Sequence, residues 1–187
     1  LMFSQSDAMQ LSPAAEVLAG PFDVILPESV SAAVVFNSET CRAPRAGWCR
    51  VDDSGTIIDW QPLRAAGDDR QATVKAAGRY YLLNDRAAPE LSLPRIRQID
   101  ASHLLIDVVA SDDLSGIDFS GLRVLANKRQ IKASYSEETS TIDIPVASLD
   151  AGNNDITVEL ADRAGNMTRA SIAGQGLAPT VSARAEV

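Results

Sequence analysis

The sequence predicts an all-β protein made of two β-sandwich domains in tandem. Three observations predict it. Short apolar runs recur between turn-forming residues at intervals of about 8–12 residues, the rhythm of a sandwich. Ile156, Val158 and Leu160 alternate with Thr157, Glu159 and Ala161, the pattern of a half-buried strand. No segment sustains the period of a long amphipathic helix. A break at Asn84-Asp85-Arg86-Ala87-Ala88-Pro89 divides the chain into a first domain at 1–86 and a second at 87–176, with a tail at 177–187.

In the first half, residues 14–18 fit either a helical turn or an edge strand. Strands are expected at 22–26 and 33–36, then a loop bounded by Cys41 and Cys49, then strands at 55–60, 72–75 and 79–83. In the second half Pro89 and Pro94 bracket an extended start, which suits an edge strand or linker. Strands follow at 104–110, 122–126, 131–135, 141–146, 156–160 and 169–173. The turns between them use Ser111 to Gly116, Asn127-Lys128, Ala151 to Asn154 and Asp162 to Asn166. Such residues tolerate positive φ or bond their own backbone, as tight connections require.

The chain has 187 residues and 45% apolar content, enough for two small cores. Its net charge of −8 argues against nucleic acid or an anionic membrane as the main partner. That acidity serves solubility or cation binding. No apolar run approaches the roughly 20 residues of a membrane helix. The chain opens on Leu1 rather than an initiator Met, as expected of a processed chain or a piece of a longer one.

Cys41 and Cys49 are the only cysteines, separated by Pro44, Gly47 and Trp48. The spacing suits neither a CxxC redox pair nor a zinc site. It fits a local disulfide, and with it an oxidising compartment, or two free thiols. Catalysis is not expected. His103 is the only histidine, and no GxSxG, HExxH or phosphate-binding loop occurs. The acid pairs Asp52-Asp53, Asp68-Asp69 and Asp112-Asp113 are adjacent, so in extended chain their side chains face opposite ways.

Four elements together resemble an immunoglobulin-like repeat of bacterial surface and secreted proteins, over residues 89–173. They are Ala88-Pro89, Ser111-Asp112-Asp113-Leu114-Ser115-Gly116-Ile117, Leu149 to Asn153, and Asp162-Arg163-Ala164-Gly165-Asn166. Residues 72–85, with Trp60 before them, resemble the final hairpin of a β module that precedes such repeats in large bacterial envelope proteins. The resemblance implies an immunoglobulin-like second domain and an extracytoplasmic location in periplasm, cell surface or medium. It also implies a non-catalytic spacer or interaction segment, as in cell adhesion, sometimes beside an envelope hydrolase or peptidase. The flanking domains of the same polypeptide would be its first partners.

Two candidate sites remain. In a seven-strand sandwich the loops after the second and sixth strands share one pole, where the chain also enters. Asp85, Glu90, Asp112, Asp113 and Asp162 would then converge. Oxygen ligands from several loops suit Ca²⁺. Turn closure by the same carboxylates, with Arg86 and Arg163 as ion partners, is the other reading. The second site is Trp48 with Arg42 and Arg45 in the cysteine loop, a surface for a glycan or a partner protein. The alternative is that Trp48 covers an edge of its own domain.

Overall fold

The computed structural model describes residues 15–27, 30–37, 39, 41–100, 102–150 and 152–174; the expected tail at 177–187 lies outside them. The described chain is all-β, with a single 3-10 turn at Val146–Ser148 and no α-helix among the described residues. Its sheets are compatible with the expected β-sandwich architecture. The chain divides into two compact units. The first holds Leu1–Pro89 with Asp112–Ile117 and Asp162–Asn166; the second holds Glu90–Ser111, Asp118–Ala161 and Met167–Val187.

The first unit contains β1 (Ala15–Val24), β2 (Ala32–Phe36), β3 (Ala46–Val51), β4 (Ile57–Pro62), β5 (Arg64–Ala66), β6 (Asp69–Val74) and β7 (Gly78–Asp85). One sheet runs β1-β7-β3-β4 and the other β2-β6-β5. The apolar run Tyr80-Tyr81-Leu82-Leu83 lacks alternation because both faces of β7 are covered. Tyr80 and Leu82 pack with Val24, Phe36, Trp48 and Val74. Tyr81 and Leu83 face the other way, against Cys49, Val51 and Trp60. Residues 14–18, whose sequence fits either a helical turn or an edge strand, belong from Ala15 on to β1, whose partner is β7.

The expected cysteine loop is where sequence and structure part. Its second half is β3, buried on both faces and so without a visible period. Gly47 is required there, because a Cβ on it would collide with the Trp60 ring.

The disulfide reading is overturned: Cys41 and Cys49 are free and buried. The strand period gives the reason. Trp48 pairs with Leu82 and Cys49 with Tyr81, so neighbouring side chains of β3 leave on opposite faces. Cys41 packs on the Trp48 face, whereas Cys49 packs on the Trp60 face. The backbone of β3 thus separates the two sulfurs.

In the second unit the expected period holds. β8 (Glu90–Gln98), β9 (His103–Ser111), β10 (Ile117–Ala126), β11 (Arg129–Ile131), β12 (Ser134–Ser136), β13 (Thr141–Pro145), β14 (Asn154–Asp162) and β15 (Met167–Gly174) form two sheets, β11-β10-β14-β15 and β12-β13-β9-β8. Leu104, Ile106, Val108, Val124, Ile142, Ile144, Ile156 and Val158 form one aliphatic core. The run expected at 131–135 divides into the ends of β11 and β12. Asn127 and Lys128, at φ 49° and 68°, make the two-residue hairpin between β10 and β11.

Candidate functional site

The densest polar constellation lies in the first unit, where β7 ends. Its loops are short and rich in Asp, Asn, Ser and Gly, residues whose side chains close turns on their own backbone. Asp112 Oδ2 accepts N–H bonds from Leu114 (3.1 Å) and Gly116 (2.7 Å). Gly116 and Gly165 stand at φ 80° and 88°, which lets each turn close. Asp162 accepts the Asn166 backbone N–H at 2.8 Å and the Asn166 side-chain amide at 2.6 Å.

Asp85 joins these turns. Its carboxylate accepts N–H bonds from Ala87 (3.1 Å) and Ser115 (3.3 Å). Its own carbonyl accepts the Asn166 amide at 3.3 Å, and its N–H donates to the Arg45 carbonyl. The Arg163 N–H donates to the Gly116 carbonyl at 2.9 Å, and the Ala164 N–H to the Ser115 hydroxyl at 3.3 Å. Leu114 sinks into the layer of Cys49, Trp60, Tyr81 and Leu83. The polar closures thus hold an apolar plug in place.

Three of the five carboxylates expected to converge come together. Carboxylate oxygens of Asp85, Asp112 and Asp162 lie within 4.8 Å of one another, and Asp85 and Asp162 are buried. Asp113 is exposed and outside the trio. The expected arginine partners do not pair with the trio. Arg86 pairs with Glu16, and among the described residues no ion pair reaches the three carboxylates. Burial pushes the Asp85 carboxyl above its ordinary range; the Ser115 and Ala87 N–H groups oppose that, and the charges of Asp112 and Asp162 add to it. These are the residues able to hold a cation such as Ca²⁺, whose ligands are carboxylate and carbonyl oxygens.

The Trp48 surface is corrected. Trp48 is on β3, 1% exposed, stacked on Tyr80 at 5.0 Å and tilted against Phe22 and Phe36. It anchors the core of its own unit and presents nothing to solvent. Arg42 and Arg45 are exposed without it. His103 is placed beside Asp143, with Nδ1 2.8 Å from a carboxylate oxygen. That bond holds the imidazole pKa above its ordinary value. Burial pushes the Cys49 thiol up to about 12, and its S–H donates to the Tyr81 carbonyl. A thiol so placed is no nucleophile.

The sequence did not show the roles of Leu114, Ser115 and Asn166. The available signal was the Asp-x-Leu-Ser-Gly order, in which an apolar residue interrupts a polar turn. No known protein family matches the sequence, and no curated protein matches it.

Proposed function

We propose that this chain is a non-catalytic structural and interaction module, with an immunoglobulin-like second domain, from a larger extracytoplasmic protein. It spaces or presents the parts of the polypeptide that flank it. The observation that carries this reading is how the loop carboxylates are used. Asp85, Asp112 and Asp162 direct their oxygens at backbone and amide N–H groups of the loops themselves, which fixes loop shape. A replacement assay tests it. Exchanging residues 15–174 in the parent polypeptide for unrelated β-sandwiches of equal length should preserve the distance between the flanking parts and any activity that depends on that distance alone. Loss of that distance-dependent activity with a stable replacement would overturn the spacer role, whereas loss of partner binding alone would bear on the interaction role.

A second reading is favoured by one specific observation, three mutually close carboxylates that make no ion pair among the described residues. Under this reading a divalent cation such as Ca²⁺ stiffens the same loops. Calorimetric titration with Ca²⁺ decides it: saturable heat lost in Asp162→Asn supports a cation, and no heat at millimolar Ca²⁺ removes it.

A further inference from the structure

A second feature of the first unit lies away from the carboxylates. A groove of about 280 Å³ opens between β4 and β6. It is lined by Gln61 and Pro62 of β4, Arg64 of β5, and Gln71, Thr73 and Lys75 near β6. Among the described residues, two strand edges beside it have no partner. β5 pairs with β6 only as far as Arg64 opposite Gln71, whereas β2 follows β6 on to Val74. From Ala72 to Val74, β6 therefore has a strand partner on one side only among the described residues. β4 is the outer strand of its own sheet.

Charge adds a second, independent observation. Arg64 and Lys75 make no ion pair among the described residues, in a chain whose net charge is −8. Unpaired backbone N–H and C=O groups are a template for another strand. Two unneutralised cations beside that template select the partner's sign.

We infer that this groove takes an acidic, extended peptide segment of a partner protein by strand addition. The peptide's backbone bonds a free strand edge, and its carboxylates meet Arg64 and Lys75. This inference rests on the interaction role proposed above. Its failure leaves the spacer role standing, because that role is read from the replacement assay.

The probe is a fluorescent octapeptide of alternating Glu and Val, titrated against the whole chain by anisotropy. Saturable binding is expected, weakened at least about tenfold in Arg64→Gln with Lys75→Gln, whose melting temperature should match the parent's. A peptide N-methylated at every residue keeps its charge and loses its backbone donors on both edges, and it should not bind. Equal binding of the methylated peptide, or of polygalacturonate at equal charge, would overturn strand addition. So would unchanged affinity in the double variant, or no binding at millimolar peptide. Self-association of the double variant, with no peptide binding by the parent, would make the two cations guards of an exposed edge and end the proposal.

Discussion

The two units bury their apolar residues in different ways. The second unit has one aliphatic core, supplied mainly by residues that alternate along its strands, with Val146 and Leu149 added from the turn after β13. The first unit has a sheet covered on both faces, with Trp48 and Tyr80 on one side and Trp60 and Tyr81 on the other. A sheet with one buried face writes a period of two into its sequence; a sheet with two buried faces erases it. The first unit also draws part of its second layer from the turns at Asp112–Ile117 and Asp162–Asn166. The contrast is one of how a core is assembled: the second unit uses its strands and the adjoining turn of Val146 and Leu149, whereas the first takes turns from a distant part of the chain.

The largest test of this contrast is Trp48→Ala. It should cost about 3–5 kcal/mol in urea unfolding, as expected for truncating a buried aromatic. A loss below about 1 kcal/mol would return Trp48 to a surface role. Leu114→Ala comes next, at about 2–5 kcal/mol. Its effect should fall on the first unit: amide shifts should cluster around Cys49, Trp60 and Tyr81, and spare Ile142 and Ile156. Shifts confined to the second unit would break the comparison.

A smaller effect is expected from Asp85→Asn, and it has a sign. The folded-state pKa of Asp85 is raised, so the folded protein holds a proton the unfolded chain has released. The contribution of this group is therefore most favourable below the ordinary Asp range and declines as pH rises through the raised value. Relative to the parent, Asp85→Asn should gain melting temperature between about pH 4 and pH 7. A relative loss over that range would show that the anion stabilises, as a bound cation would require. The smallest effect concerns the thiols. A reducing agent should leave the melting temperature unchanged, and thiol reagents should label Cys49 only as fast as the chain unfolds.

The legible part of the fold was the part with one buried face. Ile156, Val158 and Leu160 announced β14, and Asn127-Lys128 announced its neighbour's hairpin. β3 was hidden because Ala46, Gly47, Trp48 and Cys49 are all buried, and a Gly beside a Trp between two cysteines resembles a constrained loop. The same error produced the disulfide and the exposed Trp48, since both followed from reading a strand as a loop. At the candidate site the carboxylates were legible, because Asp beside Gly and Asn at two turns is distinctive. Their neighbours were not, because Ser115 and Asn166 make contacts 30 and 81 residues away in the chain.

The make-up of the first unit has a practical consequence for dissecting the protein. Cutting the chain after Pro89 yields a contiguous fragment that lacks Leu114, Ser115 and Asn166, and so leaves the Trp60 layer open to water. A boundary drawn through contacts is not always a cut along the chain. Anyone grafting this unit as a cassette would have to carry its two downstream turns along, or replace Leu114 with another lid.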